Sequence, residues 1–554
     1  MGFFYGSSGK GSVGLLKTEE KAVNAVSVVS YVGLTGYLCV YPFFVTNRYF
    51  QMTRAKFLFF CGFTVLFGVA CLILRRCVKK TLPIGLIRKN RTELYFGIFM
   101  ALAVVSCVCS DDFLASFSGA AGRYMGLFTF LMIWLAYVFI SRFGQLTKTV
   151  SVIFGVSVVV MSVIAFLQFI GFDPFGLYVG TKDTVRKTFL ALLGNKDVYY
   201  SYLSLAVPFA LYLSFEAREL SDKLFWHGVV FFGFVSVIAC NCEGAYICVA
   251  VSFVYFFFAR CKDRQGLVIF LRNAVLFFAA ALLIALTKRN MRQYGEAEGV
   301  VMAKLITPLL CGAGLAASSV LCLLATKLPV SEKTIRVLRK TVLCVLLAGA
   351  AGVIGAFVYA TFIDWKTDIG VFSFFFRYNN KWGSGRGYVW RRMYRIFVKL
   401  PFFQKLFGAG EETVAALMQQ YFPEETAAAA TIYDSSHNEF LQYLVTHGLF
   451  GFTAYILFIV SAIKRGFREG GAYRRAAAIA AVGYLAQSAV NITQVLTTPL
   501  LFVFLALTQT SDPALPSEKR ASANDAAEEE PKSEKDAAET AVAETVPAAD
   551  VPVA

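Results

Sequence analysis

Apolar runs long enough to cross a lipid bilayer recur along almost the whole chain, and this feature restricts its fold more than any other. Crossing the hydrocarbon core takes about 20 residues of helix. Such runs occupy residues 23–46, 57–74, 94–109, 124–141, 149–170, 198–215, 224–241, 244–259, 268–287, 305–326, 341–363, 440–463, 474–491 and 496–509, about fourteen in all by the hydropathy rule. The expectation is an all-α polytopic membrane protein. Its transmembrane helices 1–11 fill residues 23–363, and helices 12–14 fill 440–509. A long connection, residues 364–439, lies between them.

Composition supports that expectation and excludes a soluble fold. Hydrophobic residues make up 57% of the 554, charged residues only 16%, and mean hydropathy is +0.61. A soluble domain carries about a quarter charged residues. The net charge of +17 would suit nucleic acid, but the basic residues sit between apolar runs, where they anchor spans instead. The cysteines, such as Cys61, Cys71, Cys311, Cys322 and Cys344, lie mostly inside apolar runs. Their spacing gives no secreted disulfide framework and no zinc pattern, so packing is their expected role. The glycine-rich start, Gly6-Ser7-Ser8-Gly9-Lys10-Gly11-Ser12, lacks the Lys-Ser/Thr pair and preceding strand of a phosphate loop. It reads as part of a flexible cytoplasmic tail over residues 1–22.

Positive charge sets the expected orientation. With both ends inside, the inner inter-helix loops hold roughly 24 Lys/Arg and the outer ones roughly 12 outside the long connection. Residues 510–554 turn abruptly to Ala, Glu, Lys, Pro and Asp, a composition too poor in apolar side chains to offset ordering entropy; a disordered cytoplasmic tail is expected.

On this topology residues 364–439 face outward. A connection of that length usually has a function or is disordered, and its aromatic and basic content argues for function. From Tyr388 onward, Val389, Met393, Ile396 and Phe397 recur at helical spacing. Arg391, Arg392, Arg395 and Lys399 spread over the polar side, and a basic interfacial helix against anionic headgroups accounts for them. Arg386 differs, because it sits in a glycine-flanked turn at the helix start. There its guanidinium can join free backbone N–H groups in gripping a diphosphate, or simply belong to the turn. The connection ends Tyr433-Asp434-Ser435-Ser436-His437-Asn438-Glu439. His437, one of three histidines, is placed either to take a proton near neutral pH or to hydrogen-bond a helix end. His447 and His227 read as structural, and three scattered histidines make no metal site.

These stretches resemble the O-antigen ligase and Wzy-type polymerase superfamily. The strongest similarity is Ser436-His437-Asn438-Glu439-Phe440-Leu441-Gln442, continuing to Gly448-Leu449-Phe450-Gly451, with Arg386 and Trp390 upstream. Further similar stretches are residues 119–127, with Arg123-Tyr124-Met125-Gly126, then Leu167-Gln168 through Asp173-Pro174-Phe175, Leu193-Gly194-Asn195, and Gln487-Ser488-Ala489-Val490-Asn491. Together they cover most of residues 90–508. Where the family often has a serine-arginine pair, this chain has Asn241-Cys242-Glu243-Gly244-Ala245. Arg123, Arg186 or Lys187 are the cations available to replace that arginine.

The resemblance implies a membrane-embedded, GT-C-like glycosyltransferase that needs neither metal nor cofactor. It implies transfer of a glycan from undecaprenyl diphosphate at the outer face of a cell inner membrane. His437 and Arg386 would be catalytic, with Arg386, Arg123, Arg186 and Lys187 on the diphosphate. Trp390, Asn438 and Asp434 would support the loop, Asp434 either positioning His437 or standing in solvent. Asp111 and Asp112 read as a hydrated helix end. Lipid A core, a growing glycan and a protein hydroxyl all remain open as acceptors. A transporter of lipid-linked glycan is the non-enzymatic alternative, but transporters usually carry internal repeats and mid-membrane charges, and neither is evident.

Overall fold

A computed structural model describes residues 8–87, 90–119, 122–289, 305–367, 369–428 and 433–510. The acidic tail and the first seven residues lie outside the described residues. Each expected span falls on a helix. Among the described residues, eleven helices are long and apolar enough to cross a membrane. The remaining expected spans fall on Leu127–Phe143, Thr498–Leu507 and the alanine-rich Ala472–Ser488. The protein is thus a multi-pass membrane protein, and among the described residues its regular structure is helical except for a small antiparallel ladder that pairs Phe189 with Asn195 and Leu190 with Gly194.

One boundary differs from expectation. The first helix begins at Ser8, so residues 8–22 are not a flexible tail. Leu15, Leu16, Lys17, Glu19, Glu20 and Lys21 are good helix formers and carry the first span's helix beyond its apolar part.

Polar caps start the helices where the sequence offers them. Side chains of Asn90, Thr147, Asn195, Thr307, Ser331 and Asn438 each accept a hydrogen bond from a first-turn N–H, satisfying donors that no helical carbonyl can reach. Lys196–Glu216 runs through the centre, its whole apolar window buried. It packs on Ala472–Ser488 and Leu220–Cys240. The close approach rests on small residues: a Cβ at Gly483 would lie 2.5 Å from the Ser204 carbonyl oxygen, the type of contact that lets helix backbones meet in a membrane. By contrast, Pro308–Lys327 and Glu332–Val358 expose most of their apolar surface, which is the surface lipid covers.

The segment 364–439 forms a small body of its own. Val389, Met393 and Ile396 of the helix Arg386–Lys399 pack with Val414, Leu417, Met418 and Val445 in a separate apolar cluster. The apolar face is therefore covered by protein, not by the headgroup layer expected for an interfacial helix. Arg392 is buried as well, paired with Glu425 and lying 3.4 Å from the Tyr388 ring centroid. Arg391 and Arg395 stay exposed.

This body is fastened to the bundle at a break in helix Glu439–Glu469. Gly448 has φ +68° and ψ −177° there, a conformation open essentially to glycine alone. The break frees carbonyls that nothing in lipid would satisfy. The re-entrant segment around Gly408 fills that need: Ala409 N–H donates to Val445 O and Gly410 N–H to Thr446 O, both at 3.1 Å. A Cβ on Gly448 would lie 2.4 Å from Gly408 N. Gly448→Ala is therefore expected to destabilise the purified protein by about 1–3 kcal/mol, lowering its thermal midpoint in detergent, whereas Gly349→Ala, with open space around its Cα, leaves the midpoint unchanged.

Candidate functional site

Arg386 is fixed by a turn built from three left-handed residues, Gly383, Ser384 and Gly385, with φ of +58°, +59° and +91°. The turn folds its carbonyls toward the helix start. Arg386 N–H donates to Gly383 O at 3.3 Å, Gly387 N–H to Trp382 O at 3.0 Å and Tyr388 N–H to Gly385 O at 3.1 Å. The free backbone N–H groups expected for anion binding are thus already taken, and the backbone grip on a diphosphate does not exist here. The guanidinium itself is held on one side: Nε donates to Val490 O and Nη1 to Gly383 O, each at 3.0 Å. Nη2 has no protein partner among the described residues. Trp390 supports the turn by packing on Trp382, ring centroids 5.2 Å apart.

His437 occupies the last residues before helix Glu439–Glu469. Its φ is +50°, and hydroxyls hold the turn in shape. Ser435 Oγ accepts from His437 N–H at 3.3 Å, and Ser436 Oγ donates to Asn438 O at 2.6 Å. The Asn438 side chain accepts from Leu441 N–H at 3.0 Å, so Asn438 caps the helix and thereby positions the histidine. Burial first, then the Arg386 guanidinium, pushes the His437 pKa below the ordinary value; Arg123 acts in the same sense, and Asp197 and Asp434 oppose it. The imidazole is neutral at pH 7, and Arg386 lies within its electrostatic reach although distant in the chain.

Other elements converge on the same place. Arg123, 6% exposed, contacts Glu412 through Nη2 at 3.1 Å and the exposed Asp434 carboxylate at 3.6 Å. It also donates to the Asp434 backbone oxygen. The Glu412 contact is an ion pair without hydrogen-bond alignment, and the Nε and Nη1 of Arg123 are buried without partners. Asp434 therefore pairs with Arg123, and it reaches His437 only through its charge. Asp197 follows the cap residue Asn195, and its carbonyl accepts from Asn491 Nδ2 at 2.9 Å. Glu243 stands within the field of Arg386, so the stretch lacking the family's arginine lies near that guanidinium.

Two expected residues lie elsewhere. Arg186 and Lys187 sit exposed on the short helix Asp183–Thr188. Arg186 lines a separate cavity of about 230 Å³ with Gln168, Asp173 and Tyr178, and no contact joins either cation to His437 or Arg386. Asp112 caps the helix Phe113–Ser118 by accepting from Ala115 N–H. His227 bonds the Lys223 carbonyl oxygen at 2.6 Å.

Sequence reasoning missed Asp197, Glu412 and the buried pair of His447 and Glu411, whose Nδ1 and Oε1 are 3.0 Å apart. For Asp197 a signal existed, since it follows Leu193-Gly194-Asn195. Glu411 and Glu412 carried none, because only the re-entrant fold brings them inside.

Burial raises the Glu412 carboxyl from 4.5 to about 7 despite Arg123. The folded state then binds the proton more tightly than the unfolded one, so this group's contribution to stability declines as pH rises from 4.5 to 7. Glu412→Gln should remove that decline, flattening the dependence of the thermal midpoint on pH by on the order of 1–3 kcal/mol across the window; equal slopes in variant and parent would contradict the assignment.

Residues 310–456 match the family model described as O-antigen ligase; the match spans the body carrying Arg386 and the turn carrying His437. No curated protein and no solved structure matches the chain. The likeness to the O-antigen ligase family thus covers residues 310–456, less than half of the chain.

Proposed function

We propose that this protein transfers a glycan from a polyprenyl diphosphate, undecaprenyl diphosphate in a bacterial inner membrane, to an acceptor hydroxyl at the outer face. What carries this reading is a partly buried His437, held below its ordinary pKa by that burial and by the Arg386 guanidinium, together with an Arg386 whose Nη2 is unspent among the described residues. His437 takes the proton of the acceptor hydroxyl. The freed oxygen attacks the anomeric carbon, and the bond from that carbon to the diphosphate oxygen breaks. The electron pair leaves with the diphosphate, where Arg386 Nη2 meets the growing charge. The partnerless nitrogens of Arg123 lie close enough to add to that field. The activated donor supplies the driving force, and the step draws on neither a metal nor a cofactor. The polyprenyl chain lies against the apolar helices, in the membrane that holds them.

Among acceptors, the single long loop and the His-Asn turn favour the ligase assignment, with lipid A core as the acceptor. Polymerisation and transfer to protein are the competing reactions. Both chain ends lie in the cytoplasm on this reading, as the excess of Lys and Arg in the corresponding loops requires.

His437→Ala and Arg386→Ala are each expected to lower transfer by roughly 100–1,000-fold and to accumulate lipid-linked glycan in cells. Normal glycan attachment in both variants would sink the transferase reading, and altered chain length with intact attachment would identify a polymerase. The rate should also fall on acidification, with its midpoint below the ordinary imidazole value of about 6.5, because His437 must be neutral to accept a proton. A flat acid limb down to the carboxylate range would exclude His437 as the base.

A further inference from the structure

Beside the site lies a second recess whose chemistry the transfer step does not use. It has a volume of about 500 Å³ and is lined in part by Tyr49, Arg54, Tyr124, Asn195 and Gln494. Chain connections tie it to the site. Tyr124 follows Arg123, Asn195 caps the turn that presents Asp197, and Val495, next to Gln494, donates its N–H to Arg123 O at 3.2 Å.

We propose that this recess is a saccharide subsite selecting a sugar unit that bears an oxyanion, either a carboxylate or a phosphate. The proposal rests on the transferase reading and names a substrate class for it. Three observations carry it. First, Gln494 is 5% exposed and its amide Nε2 finds no partner among the described residues; a buried donor left unpaired costs free energy that a ligand oxygen restores. Second, the recess takes in Gln51, Met52, Thr53 and Arg54 at the start of helix Met52–Val78, where no side chain caps the helix. The first-turn N–H groups there have no helical acceptor and carry the positive end of the helix dipole. Third, the lining contains the Arg54 guanidinium and no carboxylate, so the donor-rich surface is not neutralised locally. The half-buried rings of Tyr124 and Phe189 line the same recess, and the volume falls within the usual range for small-ligand sites.

The test uses the full-length protein in lipid nanodiscs, with binding followed by ligand-observed saturation transfer and by thermal shift. The probes are methyl β-glucuronide, glucose 6-phosphate, methyl β-glucoside and inorganic phosphate. The glucuronide or the sugar phosphate should bind, and which of them does so identifies the oxyanion. The neutral glucoside should bind at least about tenfold more weakly, and inorganic phosphate alone should not match the sugar phosphate. Arg54→Gln, a change at an exposed side chain, and Gln494→Leu should each weaken the preferred probe by about tenfold, while His437→Ala retains it. The proposal is overturned if no probe binds or if the neutral glucoside binds equally well. Inorganic phosphate matching the sugar phosphate, or Arg386→Ala abolishing binding that Arg54→Gln leaves intact, would overturn it too. Normal transfer in His437→Ala with anionic sugar still bound would instead refute the transferase reading and leave the subsite standing.

Discussion

A helix that breaks inside lipid must hand its freed carbonyls to another donor, and the site of this protein is assembled around such breaks. The break at Gly448 is the decisive one. It leaves Val445 O and Thr446 O for the N–H groups of Ala409 and Gly410, which draws residues 408–412 against the bundle. That movement buries Glu412 beside Arg123 and Glu411 beside His447. A second break follows Ser488, where Val490 O accepts from Arg386 Nε and Asn491 bonds the Asp197 carbonyl. At the first helix, a π-turn over Gly36–Val40 leads into the short helix Tyr41–Phe43, and the buried Lys56 Nζ donates to Pro42 O at 2.7 Å and Phe44 O at 3.1 Å. At Gly448 and after Ser488 the interruption becomes a joint between distant parts of the chain; at the first helix it joins that helix to the next one.

The same logic explains why the site tolerates so much buried charge. An uncompensated ion in a low-dielectric surrounding is costly unless it is paired or changes protonation. Arg123 answers with Glu412 and Asp434, and Glu412 in turn holds its proton to about neutrality. His437 answers by remaining uncharged. The result is a patch whose positive charge is partly cancelled but whose guanidinium groups retain unused donors, a condition suited to an anion that arrives with its substrate and departs with the product.

How much of this was written in the sequence follows from the range of the interactions involved. Spans were legible because each one is a local run, and the amphipathic helix after Tyr388 was legible because its apolar period is local too. Its surroundings were not: whether Val389, Met393 and Ile396 meet lipid or protein depends on Val414, Leu417 and Val445, which only the tertiary fold supplies. Arg386 and His437 were reached through local turn chemistry and resemblance, yet the backbone grip assigned to Arg386 failed because the carbonyls of Trp382, Gly383 and Gly385 already accept from those N–H groups. Arg186 and Lys187 were suggested by charge alone, and charge says nothing about direction. Glu412 gave no sign, since an acidic pair in a loop looks solvated until the loop re-enters the bundle.

The account depends on Arg386 and His437 sharing one electrostatic field, and the imidazole can report on that directly. With only three histidines in the chain, selective carbon-13 labelling of histidine in the full-length protein gives a resonance for His437 that its own substitution identifies. Titration should place its midpoint below the ordinary value near 6.5, and Arg386→Gln should move that midpoint upward. A midpoint that stays where it was after the arginine is neutralised would show that the two side chains do not meet.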